Sequence, residues 1–306
     1  MKSVGAFVNY SENFDPIGPG KNSGLNGESF GPATGRGFEY GLRLSTNDGK
    51  YYATVNRYET ESAGRITSSR IDLAGIWKQY YLVRGETGDP ARTQLAFDDT
   101  EALDVSGYEI EVTANPTENL RLQAGFSKPD SKIVESMPGQ RAYLAQNLAT
   151  WNTAVGAGTP EATQLRTLIT NAQTRLDENL AGATKTGLVR YTASIFANYT
   201  FLDDRLEGFS IGAGYSRTGR QYLTEIRDIM RYSSVRSTTT AVIAYDTRFR
   251  DIDVRIALNV DNLLDDRDPI VTGYDGAWQD PAGNPIPNGF SFPAPRTWRL
   301  SARLTF

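Results

Sequence analysis

In this sequence the final stretch is Arg296-Thr297-Trp298-Arg299-Leu300-Ser301-Ala302-Arg303-Leu304-Thr305-Phe306. Its apolar residues occupy every second position: Trp298, Leu300, Ala302, Leu304 and Phe306. Polar residues fill the positions between them: Arg299, Ser301, Arg303 and Thr305. Because successive side chains of a β-strand point to opposite faces, this alternation predicts a strand with one apolar and one polar face.

A strand of this kind occurs in two classes of protein. In a soluble β-sandwich its apolar face lies in the core between two sheets. In an outer-membrane β-barrel its apolar face meets lipid and its polar face meets the interior. A strand that runs to an aromatic carboxy-terminal residue is typical of the last strand of such a barrel, and the termini of soluble domains usually fray, but this stretch alone does not decide between the two classes. The remaining sequence has to decide between the two classes.

Composition excludes several kinds of catalytic site. The 306 residues include no Cys and no His, which removes thiolate chemistry, Ser-His-Asp triads and zinc sites that use His. An all-carboxylate active site is not excluded, but we expect no enzyme and no cofactor. The formal net charge of -4 gives no indication of nucleic-acid binding. The 16 Tyr and 29 Gly suit short strands and tight turns.

Hydropathy does not decide whether this chain spans a membrane with β-strands. No run approaches the roughly 20 apolar residues that a membrane helix needs, and the mean hydropathy is -0.44. Both observations are compatible with a barrel, whose strands are apolar only at alternate positions. The start, Met1-Lys2-Ser3-Val4-Gly5, does not have the pattern of a signal peptide. An outer-membrane protein has to be exported, so the lack of a signal-peptide pattern at the start of this sequence needs an explanation.

The clearest hairpin lies in the first half of the chain. Residues 108–114 alternate between apolar and polar, Asn115-Pro116-Thr117-Glu118 turns the chain, and residues 120–127 return with the same alternation. Charged side chains on both strands would be costly in the dry core of a sandwich. The turn Thr46-Asn47-Asp48-Gly49 predicts a second hairpin, because Asp-Gly supplies the positive φ of a tight turn.

In total the alternation predicts about ten strands. They lie near residues 4–11, 38–45, 51–61, 108–114, 120–127, 191–199, 209–216, 238–247, 252–262 and 297–306. Short turns near 46–50, 115–118, 202–207 and 248–251 alternate with long loops near 12–36, 62–104, 128–186, 217–237 and 264–294. Short turns at one rim and long loops at the other are expected of an outer-membrane barrel. The predicted fold class is therefore all-β, an antiparallel transmembrane β-barrel with long extracellular loops.

One long loop has helical periodicity, and we interpret residues of about 129–186 as a helical insertion. Thr159-Pro160-Glu161 predicts a helix start, and apolar residues recur after it at three- and four-residue spacing. A shorter helix is expected near Ala142–Trp151, and a strand-like piece near Ile71–Tyr81 in the preceding long loop. The amphipathic helix either lies on a membrane or partner, or packs within its own loop; we favour the second.

Four segments resemble one protein family. They are Leu258-Asn259-Val260-Asp261-Asn262-Leu263-Leu264-Asp265, the closing segment Pro295–Phe306, Gly107-Tyr108-Glu109-Ile110-Glu111 with Asn115-Pro116-Thr117, and Ser11-Glu12-Asn13-Phe14 with Pro16 and Glu39-Tyr40-Gly41. In this order and spacing the chain resembles the carboxy-terminal part of the barrel of TonB-dependent outer-membrane receptors. The resemblance covers nearly all 306 residues.

The resemblance implies a fold and a function. Those receptors close about 22 strands around a plug domain, so residues 1–306 correspond to a partial barrel, its last ten strands. We expect a receptor fragment or a truncated reading frame, without the plug that contacts TonB. The implied function is active uptake of a scarce ligand (a siderophore, a vitamin or an oligosaccharide) through the outer membrane of a Gram-negative bacterium. Two alternatives stay open: a stand-alone small barrel acting as a pore or enzyme, and a soluble carbohydrate-binding β protein.

Ligand-binding candidates lie in the long loops. Arg220, Arg227 and Arg231 could hold an anionic ligand, because guanidinium groups suit carboxylates; alternatively they pair with nearby acids or with lipopolysaccharide phosphates. Trp151 and Trp278 could stack on a ligand or pack within their loops. Two carboxylate clusters could hold Ca²⁺, although solvated loop charge is the commoner explanation and we assign no metal. These clusters are Asp98, Asp99 and Glu101, and Asp265, Asp266 and Asp268.

The closing strand carries a second set of candidates. By the resemblance, the barrel-assembly machinery reads a terminal strand of this kind, and the residues expected to carry the signal are Trp298, Leu300, Leu304 and Phe306. The alternative is that these side chains simply face lipid, and the two interpretations are compatible. The expected partners are thus outer-membrane lipid and lipopolysaccharide, the assembly machinery, and a small-molecule ligand.

Overall fold

The computed structural model describes residues 3–16, 24, 25, 27, 29–67, 70–226 and 229–306. Its strands are β1 (Ser3–Asp15), β2 (Ala33–Ser45), β3 (Tyr51–Ile66), β4 (Thr100–Ala114), β5 (Leu120–Ser136), β6 (Thr192–Thr200), β7 (Phe209–Thr218), β8 (Tyr222–Ile226), β9 (Ile229–Tyr232), β10 (Arg236–Phe249), β11 (Ile252–Asp261), β12 (Ile270–Gln279), β13 (Pro285–Ser291) and β14 (Thr297–Thr305). Its helices are α1 (Leu73–Arg84), α2 (Pro90–Thr93), α3 (Pro138–Val155) and α4 (Pro160–Asp177).

One sheet of ten strands organises the described residues. Its order is β1-β2-β3-β4-β5-β6-β7-β10-β11-β14, and every neighbouring pair is antiparallel. The antiparallel, mainly β class predicted from the sequence is therefore confirmed. The remaining strands form two separate hairpins, β8–β9 and β12–β13. Within the described part of the chain β1 pairs only with β2, and β14 only with β11, so these two strands are the sheet edges.

The strand register places apolar side chains of all ten strands on one face. Ile110 lies opposite Val55 of β3 and Phe126 of β5, and at the other end of the sheet Leu258 lies opposite Ile243 and Leu300. We call this side the apolar face. Most of its large side chains are exposed, and Leu300 is 74% exposed. A soluble protein normally buries such residues, whereas this sheet exposes them.

The opposite side, the polar face, carries hydrogen-bonded and charged groups. The Nδ2 of the buried Asn56 donates to Glu39 Oε1 at 2.8 Å and to Glu109 Oε2 at 3.4 Å. Further along the sheet Arg255 Nη1 lies 2.6 Å from Asp246 Oδ2. The sheet therefore separates an exposed apolar surface from a polar one, as the alternation in the sequence predicts.

Connections of two lengths alternate along the chain. The short turns, 46–50, 115–119, 201–208 and 250–251, all lie at one rim of the sheet, and the long connections lie at the other. Gly49 has a φ of 66° and its N–H donates to the carbonyl oxygen of Thr46 at 3.1 Å, so the Asp-Gly turn forms as predicted. We name four long connections loop A (67–99), loop B (137–191), loop C (219–235) and loop D (262–296).

Helices from loops A and B share one hydrophobic core. Trp77 of α1 and Trp151 of α3 are fully buried, with ring centres 5.4 Å apart, and Leu165 of α4 packs with them. The helix predicted from Thr159 is present as α4, and its first turn is capped because Ala162 N donates to Thr159 Oγ1. None of the described helices combines the length and the apolar character needed to cross a membrane.

Two sequence-based assignments in these loops are wrong. Residues of the expected strand near Ile71–Tyr81 form α1 instead, with Asp72 capping its start and Gly85 ending it at a φ of 66°. The buried residues of α1 recur at helical spacing: Leu73, Ile76, Trp77 and Tyr80. The helical insertion also begins later than residue 129, because β5 continues to Ser136 before α3 starts.

Both ends of loop D are tied together by the segment that follows β11. Asn262, buried and at a φ of 50°, donates from Nδ2 to the carbonyl oxygens of Asp266 and Ala294, each at 2.9 Å. Asp265 Oδ1 accepts from the backbone N–H of Arg296 at 3.1 Å. The hydrogen bond from Arg267, and then that from Arg296, lowers the pKa of Asp265 below its usual value. The Asn-Leu-Leu-Asp motif therefore sets where β14 begins.

Replacing Asn262 by Ala should loosen loop D without altering the sheet. The carbonyl oxygens of Asp266 and Ala294 lose their donor, at a cost of about 1–3 kcal/mol. We expect faster protease cleavage within residues 267–294 and an unchanged far-ultraviolet circular dichroism spectrum. Asp268→Asn is the matched control, since the Asp268 side chain makes no hydrogen bond or ion pair among the described residues. Equal cleavage rates for the two variants would contradict this role of Asn262.

Candidate functional site

The four long loops join into one layer above the long-loop rim. Loops A and B share the helical core. Loop B joins loop C because Arg190 N donates to the Arg220 carbonyl oxygen at 3.0 Å and Tyr222 N donates to that of Leu188 at 2.8 Å. Loop C joins loop D where Val271 N donates to Ser234 Oγ at 3.2 Å. The layer is the part of the described chain that could present side chains to a ligand above the sheet.

The three predicted arginines have different surroundings. Arg220 is exposed and lines a cavity of 480 Å³ with Lys128 and Arg190. Arg231 lies on β9, and its guanidinium carbon is 5.9 Å from the ring centre of Tyr274 on β12. Arg227 lies outside the described residues. The structure therefore places Arg231 at the junction of loops C and D, and Arg220 beside the sheet.

Of the two predicted tryptophans, the structure describes the side chain of Trp151 alone. Trp151 is fully buried against Trp77 in the helical core, so its observed position matches the alternative of packing within the loops. Trp278 belongs to β12 by its backbone, and its side chain lies outside the described part of the structure. Contact of Trp278 with a ligand stays a prediction.

Most carboxylates of the two clusters accept from donors within the protein. Asp99 caps α3, accepting from the N–H of Gln140 at 2.7 Å, while Asp98 pairs with Arg70 and Glu101 pairs with Lys185. In the second cluster Asp265 accepts from Arg296 and Arg267, as described above. Among the described residues no group of three acids is arranged to hold a metal ion. Asp98, Asp99, Glu101 and Asp265 thus have partners within the protein.

The closing strand lies at an edge of the sheet. Trp298, Leu300 and Leu304 continue the apolar face from their β11 partners, and all three are more than half exposed. Phe306 follows β14 and is 92% exposed. The structure thus gives these four residues an accessible position at one strand edge. Their recognition by the assembly machinery stays a prediction.

Sequence reasoning missed the two hairpins within loops C and D. The second hairpin turns at residues 280–284, where Asn284 N donates to Asp280 Oδ1 at 2.8 Å and Gly283 has a φ of 83°. Asp280-Pro281-Ala282-Gly283-Asn284 is a turn signal that could have revealed β12 and β13. It also missed Arg190, whose guanidinium carbon is 5.6 Å from the ring centre of Tyr232. No local pattern in the sequence marks that contact.

Comparison with known proteins gives weak sequence matches to the same receptor from two strains of one bacterium. No protein-family model matches the sequence. A metal-pseudopaline receptor, CntO of Pseudomonas aeruginosa, is 26% identical over 132 residues, which are 43% of this chain and 15% of the receptor. A match of this size and coverage does not by itself establish a family.

Similar solved structures cover almost the whole chain. The pyoverdine outer membrane receptor FpvA of Pseudomonas aeruginosa matches 99% of it with a TM-score of 0.58 and 15% identity, and the match takes up 34% of FpvA. BauA, the ferric preacinetobactin receptor of Acinetobacter baumannii, matches 99% with a TM-score of 0.56 and 17% identity, again over 34% of the receptor. The chain therefore spans about a third of the length of these proteins. At the level of the fold, these matches confirm the resemblance to TonB-dependent outer-membrane receptors.

Proposed function

We propose that this chain forms the carboxy-terminal barrel portion of an outer-membrane receptor that takes up a metal-chelating small molecule. The observation that carries the proposal is the exposed apolar face, which runs through all ten strands of the sheet. The polar face and the single rim of long loops support it further. In this arrangement the apolar face meets lipid, the polar face lines the interior, and the loops extend outside the cell.

The apolar face has aromatic borders of the kind found in membrane barrels. On β5 its residues run from Leu120 to Phe126, a distance of about 20 Å along the strand at roughly 3.3 Å per residue. The apolar band of outer-membrane barrels is about 25 Å tall, with aromatic residues at both borders. Phe209 and Tyr245 pack 4.5 Å apart at the short-turn border, and Tyr10 and Tyr108 lie at the other. A soluble carbohydrate-binding sheet would not leave this surface uncovered.

The two sheet edges indicate that the ten strands do not act alone. In hydrocarbon each unpaired backbone N–H or C=O costs several kcal/mol, and β1 and β14 each have one unpaired side within the described chain. We infer that they pair with further strands, about twelve of them in a 22-stranded barrel. A plug and its contact with TonB would belong to other parts of the intact receptor. The unpaired edges of β1 and β14 favour a portion of a larger receptor over a stand-alone pore or enzyme.

Two observations support a class of ligand for this chain: the ligands of the similar proteins, and the side chains that the loop layer presents. The similar proteins are receptors for pyoverdine, ferric preacinetobactin and metal-pseudopaline. We propose a siderophore-type chelate for this chain as well. Arg231, held beside Tyr274 at the junction of loops C and D, offers a guanidinium and an aromatic face to an anionic chelate.

A charge on the apolar face should impair membrane insertion much more than one on the polar face. Leu258 and its neighbour Asn259 lie on opposite faces of β11, so Leu258→Lys and Asn259→Lys form a matched pair. Near the middle of the bilayer a lipid-facing Lys costs about 2–4 kcal/mol. We expect Leu258→Lys, but not Asn259→Lys, to reduce the folded intact protein recovered in the outer-membrane fraction. Equal recovery of both variants would show that the apolar face does not meet lipid.

Uptake tests the proposed ligand class directly. Iron-starved cells that produce the intact protein should accumulate radioactive iron from at least one carboxylate-bearing ferric siderophore in a test panel. Arg231→Gln should lower this uptake about tenfold, because a charge-assisted hydrogen bond is worth about 1.5–3 kcal/mol. Arg205→Gln removes the same charge at the short-turn rim and should have no effect. If no siderophore is taken up, or if both variants behave like the wild type, the ligand proposal fails.

Deleting Phe306 tests the proposed assembly signal. We expect the outer-membrane yield of the intact protein to fall several-fold, although the deletion removes no buried contact from the sheet. Phe249→Ala provides the control, since Phe249 is 63% exposed and lies near the same rim. An unchanged yield after deletion of Phe306 would leave these residues only the lipid-facing role.

A further inference from the structure

A segment of loop B, residues 182–190, joins the sheet to loop C, and we call it the strap. At the long-loop rim β5 extends beyond the start of β6, so the backbone of its upper half needs another partner. The strap supplies one. Gly182 N donates to the carbonyl oxygen of Ile133 at 2.7 Å, and Ile133 N donates to that of Ala183 at 2.9 Å. The first half of the strap therefore continues the sheet next to β5.

A buried ion pair fastens this first half to the sheet. Lys185 Nζ donates to Glu101 Oε2 of β4, and the Glu101 side chain is only 5% exposed. Lys185 N also donates to the carbonyl oxygen of Ser131 at 3.0 Å. A buried carboxylate is unfavourable without a positive partner. Because movement of the strap away from β5 would separate Lys185 from Glu101, the ion pair favours the attached position.

The second half of the strap pairs with the start of β8 in loop C. Gly187 N donates to the carbonyl oxygen of Tyr222 at 2.9 Å, and Tyr222 N donates to that of Leu188 at 2.8 Å. The two halves meet at Gly187, whose φ of 97° is one that glycine adopts without strain. Tyr222 is itself buried. The strap thus connects β5 to β8 through one short stretch of hydrogen-bonded backbone.

The position of Arg231 depends on β8. In the hairpin of β8 and β9, Thr224 lies opposite Arg231, and the rings of Tyr222 and Tyr232 are 5.9 Å apart. The Nε of Arg231 is buried and has no hydrogen-bond partner among the described residues. A buried donor of this kind can meet a ligand carboxylate only where its supporting strands hold it.

We propose that Lys185 is a positioning residue for the ligand site at Arg231. Through Glu101 it holds the strap on the sheet, the strap holds β8, and β8 holds Arg231 on β9. The role in ligand binding rests on the proposed function, whereas the connection from Lys185 to loop C does not. If the strap is released, the hairpin spends less time in the competent position, and the apparent dissociation constant rises by the inverse of that fraction.

Hydrogen exchange of the purified intact protein tests the connection from Lys185 to loop C. Lys185→Met leaves the buried Glu101 without its partner, so the amides of Gly187 and Tyr222 should exchange about tenfold faster. Lys185→Arg keeps the charge and should keep the slow exchange. Lys132→Met removes an exposed cation of β5 as the matched control and should change nothing. Unaltered exchange in Lys185→Met would overturn the inference, whether or not a siderophore is transported.

An engineered disulfide can take the place of the ion pair. Lys132 and Thr184 lie opposite each other in the antiparallel bridge between β5 and the strap, and the 306 residues contain no Cys. The flanking residues make the hydrogen bonds, so the two Cα atoms of this pair are about 4.5 Å apart, a separation that a disulfide spans. Added to Lys185→Met, the pair Lys132→Cys and Thr184→Cys should restore slow exchange when oxidised but not when reduced. Equal exchange in both redox states would contradict a role of the strap in holding loop C.

Affinity for a chelate tests the positioning role itself. The probe is the ferric siderophore of the uptake panel that wild-type cells take up fastest, titrated into the purified intact protein. Lys185→Met should raise the dissociation constant about tenfold, and the oxidised disulfide should restore it. In combination with Arg231→Gln the two losses should not add, because both remove the same contact. Additive losses, or an unchanged dissociation constant despite faster exchange, would overturn the positioning role. If no siderophore is taken up, the proposed function fails, and hydrogen exchange still decides the connection to loop C.

Discussion

The backbone register of the antiparallel sheet is the constraint on which the rest of the structure depends. Side chains alternate with a period of two, so a slip of one residue in any strand pair would exchange its apolar and polar faces. From Ala6 opposite Leu42 to Leu258 opposite Leu300, the observed pairs place most apolar residues on one side, although Phe7, Phe196 and Val242 lie on the other. The short turns set this register locally, as the hydrogen bond from Gly49 to Thr46 illustrates. Without this register the sheet would not have one apolar face and one polar face.

The same register fixes where the long loops can meet. Because strands neighbour one another in chain order, loops B and C emerge beside each other at one rim, and residues 187–190 can pair with residues 220–222. Asn262 then holds the two ends of loop D together so that β14 enters the sheet beside β11. The order of the strands therefore determines which loops lie side by side and contact one another.

Periodicity predicts the sheet well but predicts the loops poorly. All ten strands of the main sheet were expected, but β4 and β5 extend beyond the predicted 108–114 and 120–127, to Thr100 and Ser136. Residues 71–81 look strand-like, yet Ile76, Trp77 and Tyr80 form a helical face that packs in the core shared with loop B. The positions of Trp151 and Arg220 depend on contacts between loops that are distant in sequence. The residue type of Trp151 suggested ligand contact, whereas its neighbours show packing.

Backbone pairing between loops B and C fixes the positions of the arginines in loop C. The backbone N–H of Arg190 donates to the carbonyl oxygen of Arg220, and both side chains line the same cavity. Loop C also carries Arg231 to the ring of Tyr274 in loop D. A change in the pairing of loops B and C would therefore move both arginines, although one lies beside loop B and the other beside loop D.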